Sequence, residues 1–256
     1  MNRIFNLLIL AVLLVGCKPS TGTSDSSANA SVKQESDSVA VQTVTGNLVN
    51  ATTYQLGAST YTCEGNFSPE TYNADASGVV TFTAFPASYE EFAHLYENFL
   101  GKSPQGTAAL ATMAMELFFR NPEVGKKCVE LICSQACASE MKRGVGEKVR
   151  SWQGNDSYGQ RYLPAAVLKG ASPENGYQPI TPYTIEMKAS VNKHEKVQIS
   201  GNGVCLFLDV LGEGWDSGKR SVHVFLPDGA ERYQIWSASS LYMQCKNTSK
   251  PFAELK

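Results

Sequence analysis

The stretch Val204-Cys205-Leu206-Phe207-Leu208-Asp209-Val210-Leu211 decides the fold. It is apolar throughout except for Asp209, and it has the length of a strand rather than a helix. Such a run belongs near the middle of a sheet. Downstream, Ser221 to Leu226 alternates polar and apolar, Pro227-Asp228-Gly229 marks a turn, and Arg232 to Trp236 returns as the partner strand. Upstream, Tyr183, Ile185, Met187 and Ala189 alternate with Thr184, Glu186 and Lys188, and Val197 and Ile199 continue the period of two. Consecutive strands on short connections predict an antiparallel sheet.

A helical block precedes it. Ser88 followed by Glu91 is a capping box, Phe92, Leu95, Tyr96 and Phe99 recur at helical spacing, and Gly101 stops the helix. Ser103-Pro104 and Asn121-Pro122 each place an N-cap before a proline. The helix after the first carries Leu110, Met113, Leu117 and Phe118. The helix after the second carries Val124, Cys128, Leu131 and Ile132, runs towards Met141, and is expected to end at Gly144 and Gly146. Helices first and sheet second predict an α+β class. The domain spans 51–256, with its helical part at about 86–145 and its sheet part at about 160–246. A curved sheet wrapping packed helices, an NTF2-like cone, is the favoured architecture, and a small β-barrel with a helical subdomain is the alternative.

The block from Tyr162-Leu163-Pro164-Ala165-Ala166 through Pro173-Glu174-Asn175-Gly176-Tyr177, with Pro182-Tyr183-Thr184, resembles a recurring block in an uncharacterised family of bacterial secreted and lipid-anchored proteins. Tyr233 to Leu241 is similar to that family's last strand. The likeness covers about residues 80 to 245. It implies one continuous domain and carries no assigned activity.

The N-terminus supplies an address. Arg3, an apolar run from Ile4 to Val15 and small residues before Cys17 make a secretory signal peptide over residues 1–16, too short to span a bilayer. Leu14-Val15-Gly16-Cys17 resembles the bacterial lipobox, which implies a diacylglycerol on the Cys17 thiol and an acyl chain on its new amine. Two or more chains anchor stably. Lys18, where an aspartate would retain a lipoprotein in the inner membrane, favours an outer-membrane lipoprotein facing the periplasm or the surface. Residues 17–50 are rich in Ser, Thr and Ala and lack aromatic residues, so they are expected to form a disordered tether with a reach of about 35 Å. Asp37-Ser38-Val39 resembles a short O-glycosylation site. The formal charge is −2, and removal of the leader makes it one unit more negative. No basic patch points to nucleic acid.

Six cysteines follow Cys17: Cys63, Cys128, Cys133, Cys137, Cys205 and Cys245. Cys205 and Cys245 lie on late sheet elements and are the most plausible disulfide pair, with small buried apolar residues as the alternative reading of all six. On a continuous helix, Cys133 and Cys137 would share a face one turn apart, and a bridge between them would be strained. Their spacing does not suit a four-ligand metal site, so no metal and no cofactor are expected.

Signatures of zinc proteases, serine-hydrolase elbows, phosphate loops and dinucleotide folds are missing. Ser139 to Lys142 and Ser190 to Lys193 match Ser-x-x-Lys without the partner motifs. His94 is placed at a helix edge and His194 in solvent beside Lys193 and Glu195. His223 faces away from Val222 and Val224, towards the strand that carries Asp209. A histidine oriented by a carboxylate is the least that general-base chemistry needs, and it is equally a structural pair. The loop Gly212-Glu213-Gly214-Trp215-Asp216-Ser217-Gly218 is longer than a hairpin requires. Trp215 flanked by Glu213 and Asp216 suits stacking on a small molecule, glycan or peptide, or it folds back as a lid on the core. The sequence thus favours a non-catalytic binding or accessory lipoprotein. A structural envelope lipoprotein making protein contacts is the alternative, and a hydrolase using Asp209 and His223 is less favoured.

Overall fold

The computed structural model describes residues 42–46, 49–153, 160–199, 202–251 and 254–256. Cys17, the signal peptide and the first part of the expected tether lie outside them. Strands β1 (Gln42–Gly46), β2 (Val49–Leu56), β3 (Ser59–Gly65) and β4 (Ser77–Phe82) come first. Helices α1 (Tyr89–Asn98), α2 (Pro104–Arg120), α3 (Pro122–Ile132) and α4 (Gln135–Gln153) follow. Then come β5 (Tyr183–Ala189), β6 (Val197–Gln198), β7 (Gly203–Leu211), β8 (Lys219–Pro227) and β9 (Gln234–Ser237). The sheet is antiparallel in the order β1-β2-β3-β4-β5-β7-β8-β9, with β6 paired to β7.

The α+β class and the curled antiparallel sheet packed on helices agree with the sequence. The order does not, because four strands precede the first helix. Two of them, β1 and the start of β2, also lie inside the stretch expected to be tether. Their polar residues hide the period. Of the β2 side chains from Ala51 onward only Tyr54 is buried, and Thr53 reaches across to the Thr62 hydroxyl at 3.1 Å.

The helix starts were well marked. Ser88 Oγ accepts from the Glu91 amide while Glu91 accepts from the Ala87 amide. Ser103 Oγ accepts from Gly106, and Asn121 from Glu123 and Val124. The expected third helix, however, breaks at Cys133, and its second half continues as α4 past Gly144 and Gly146 to Gln153. Gly144 answers packing rather than termination: a Cβ there would lie 2.4 Å from the Tyr242 ring.

Helix α2 is the core. Every residue from Pro104 to Phe119 is buried, and α2 touches β3, β4, β7, β8 and β9, so the sheet curls around it. On β7, Leu206, Leu208 and Val210 point to this core. One charge sits on the helix's buried length. Glu116 takes both Arg161 Nη atoms at 2.7 Å and Arg120 Nε at 2.8 Å. Arg161 in turn lies over the rings of Phe119 and Trp152, and Arg120 Nη2 holds the Leu255 carbonyl at 2.9 Å.

A buried ion left without its partner costs about 3–5 kcal/mol, whereas replacing the pair by apolar groups costs far less. Glu116→Met is therefore expected to lower stability by about that amount, and Glu116→Met with Arg161→Met by less. Urea midpoints of the two variants check the order.

Candidate functional site

The loop between β7 and β8 is closed by Gly212 N–H to Gly218 O (3.0 Å) and Gly218 N–H to Trp215 O (3.0 Å). Gly218 takes φ +65°, a backbone that favours glycine. Inside the loop Trp215 is only 5% exposed. Its Nε1–H donates to the carbonyls of Met243 (3.2 Å) and Gln244 (3.1 Å), and Lys246 N–H donates to Gly214 O at 2.8 Å. The exposed, stacking Trp215 of the first sequence reading is thus corrected. The indole is a lid, as the other reading had it, because the C-terminal segment supplies carbonyls for its N–H. Glu213 and Asp216 are exposed but separated: Glu213 lines a cleft of about 290 Å³ with Lys169 and Glu186, and Asp216 lines one of about 590 Å³.

The larger cleft is open, and Trp215, Arg220 and Lys246 line it. The Arg220 guanidinium lies 4.5 Å from the Trp215 ring centroid, and its Nη1 donates to Ser217 Oγ (3.2 Å) and Lys219 O (3.3 Å). Its Nε is buried with no hydrogen-bond partner, and burial draws its pKa below the ordinary value. Lys246 Nζ meets Asp216 Oδ1 at 3.0 Å. Two cations therefore converge on one opening, and a carboxylate contacts one of them. Burial pushes the Cys245 thiol up to about 11. Sequence reasoning missed Arg220 and Lys246. A signal for Arg220 was present: it shares the period-two face of Val222 and Val224, an inward place for a charge.

The structure does not assemble the Asp209–His223 pair. In register, Asp209 faces Ser221 and His223 faces Phe207, so the two are diagonal. Asp209 Oδ2 accepts from Lys219 Nζ (2.7 Å) and Val191 N–H (3.4 Å). The His223 ring packs edge-on at 4.4 Å from Phe207, whose other neighbour is the Lys193 ammonium at 4.7 Å. Burial and then Lys193 lower the His223 pKa, and Asp209 opposes them. His94, at its helix edge, bonds Tyr54 Oη at 2.6 Å.

The structure does not bring Cys205 and Cys245, the possible disulfide pair, together. Cys205 stands at the start of β7, while Cys245 packs beside Gly214, beyond the strand's other end. The part of β7 from Cys205 to Leu211, about 20 Å long, lies between them. Among the described residues, no group of three or more His, Cys, Asp and Glu could hold a metal, and no helix is long and apolar enough to cross a membrane.

Fold and site together define an α+β domain with a curled antiparallel sheet and an open cationic cleft beside a buried tryptophan. The chain belongs to the family of the domain of unknown function DUF6935, which matches residues 84–249. That match begins just after β4, although β4 pairs with β5 along its whole length. No curated protein and no solved structure matches the chain.

Trp215→Ala is expected to destabilise the fold by about 3–5 kcal/mol, as core Trp truncations do, measured by urea denaturation. For His223, a lowered pKa means the fold prefers the neutral ring. That contribution is present above the unfolded value of 6.5 and is lost as pH falls below it. His223→Gln should therefore lose less stability than the wild type between about pH 7.5 and about pH 5, read as the shift of urea midpoint.

Proposed function

We propose that the protein is a non-catalytic binding or accessory lipoprotein, tethered to the outer membrane of a bacterium through lipidated Cys17. In this reading it takes a small molecule, glycan or peptide in the Trp215 cleft. The carrying observation is the approach of Arg220, stacked on buried Trp215, and Lys246 to one open cleft of about 590 Å³. A buried indole holds the guanidinium plane in place, and the arginine offers fixed donors to a polar ligand. Glu213 belongs to the neighbouring cleft and has no part in this reading. The address rests on Leu14-Val15-Gly16-Cys17. A hydrolase is disfavoured because Lys219 and the Val191 amide occupy the Asp209 carboxylate. The structural-lipoprotein reading draws on Trp236, 40% exposed and packed 5.0 Å from Phe225 on the outer sheet face.

Envelope glycan fragments and short peptides screened by calorimetry against the full chain test the cleft. Lys246→Ala should weaken any ligand found about tenfold or more, the worth of one charge-assisted hydrogen bond, and leave the thermal melt unchanged. A ligand bound equally well by Lys246→Ala and Arg220→Gln places binding elsewhere. For the anchor, Cys17→Ser is expected to abolish fatty-acid labelling, and equal labelling of both chains sinks it.

A further inference from the structure

Arg220 carries a charge that no carboxylate meets. Arg120 and Arg161 close on Glu116, and Asp209, on the strand beside Arg220, is taken by Lys219. Among the described residues no Asp or Glu pairs with Arg220. Its Nη1 is spent on Ser217 Oγ and Lys219 O, and its Nε is buried without a partner. Nη2 makes no hydrogen bond and, unlike Nε, is not buried. The guanidinium lies against an indole that is itself fixed by two carbonyls. A desolvated, oriented cation without a counter-ion is costly, and a bound anion offsets that cost. Lys246 grips the same four residues as Arg220. Its N–H meets Gly214 O (2.8 Å) and its Nζ meets Asp216 Oδ1 (3.0 Å), while Arg220 meets the Trp215 ring (4.5 Å) and Ser217 Oγ (3.2 Å). The Asp216 side chain is 98% exposed, and an ion pair so open contributes little, so Asp216 is a replaceable occupant of the ammonium. Two cations and one carboxylate leave the cleft net positive on a chain whose formal charge is −2.

We propose, resting on the cleft as the ligand site, that its occupant is a sugar acid, which presents a carboxylate to Arg220 Nη2 and Lys246 Nζ and hydroxyls to the amides of Gln244 and Asn247. A carboxylate has two acceptor oxygens, one for each cation, and replaces Asp216 on Lys246 like for like. Gln244 and Asn247 line the cleft, are exposed, and have side chains that make no hydrogen bond. A side-chain amide both donates and accepts, which suits a hydroxyl. A peptide carboxylate would satisfy the cations as well. Its apolar side chains, however, would find no exposed apolar partner, because the two apolar side chains of the lining, Trp215 and Cys245, are buried.

Calorimetry on the full chain tests this with glucuronate and galacturonate, their neutral parents glucose and galactose, and N-acetylalanylalanine, a peptide with a free carboxylate. At least one sugar acid is expected to bind, about tenfold or more tighter than its neutral parent, the worth of one charge-assisted hydrogen bond. Arg220→Gln should erase that preference. Asp216→Asn removes the competing carboxylate from an exposed position and should tighten the acid about two- to fivefold, and added salt should weaken it. The proposal is overturned if no sugar acid binds the wild type or Asp216→Asn, if a neutral parent binds as tightly, if the peptide binds more tightly than both acids, or if Asp216→Asn weakens the acid. A neutral sugar or the peptide bound in preference, and lost in Lys246→Ala, would keep the cleft as the ligand site and overturn the acid alone. An acid bound equally well by Lys246→Ala and Arg220→Gln would overturn the cleft itself.

Discussion

The carboxylate of Glu116 is the constraint on which the arrangement depends. It lies near the end of α2, buried from Pro104 to Phe119, where an unpaired charge is untenable, so two guanidinium groups must reach it. Arg161 brings in the segment that follows the helices and precedes β5. Arg120 brings in the chain's end through the Leu255 carbonyl. One buried anion thereby joins pieces far apart in sequence, with a directional geometry that apolar packing does not impose.

The cleft inherits its shape from that arrangement. The segment after Arg161 carries Tyr162 and Tyr177, whose hydroxyls donate to Lys250 O at 3.0 Å and Lys246 O at 2.7 Å. With Trp215 Nε1 on Met243 O and Gln244 O, these bonds hold the C-terminal segment along the β7–β8 loop. Residues 244–247 then line the cleft together with Arg220. Their segment is fixed by side chains bonding to backbone carbonyls, so the identity of many of its residues is open while their path is set.

What was legible came from local chemistry. The three proline-adjacent or boxed caps predicted helix starts because a cap is a bond between residues three apart. The alternation in β5 and β8 predicted strands because one face of each is buried. β2 was not legible, since a strand rich in threonine with Tyr54 as its one buried side chain from Ala51 onward leaves no period, whereas β3 does bury Tyr61 and Cys63 on one face, a short period that the sequence reading passed over. The end of the third helix was misplaced because glycine serves two purposes, and Gly144 is there for the Tyr242 ring.

The sequence by itself determined the α+β class, the alternating strands β5 and β8 and the starts of α1, α2 and α3, all encoded in neighbours within a few residues. The tertiary structure alone decided whether Trp215 faced a ligand or the core, because its answer depends on carbonyls at 243 and 244. It alone decided that Asp209 is taken by Lys219, and that Cys205 and Cys245 stand a strand's length apart. It also decided that Cys133 leaves the helix and pairs with Ile235 of β9. Each of these turns on contacts between elements, and periodicity carries no information about which distant partner a buried polar group or sulfur will meet.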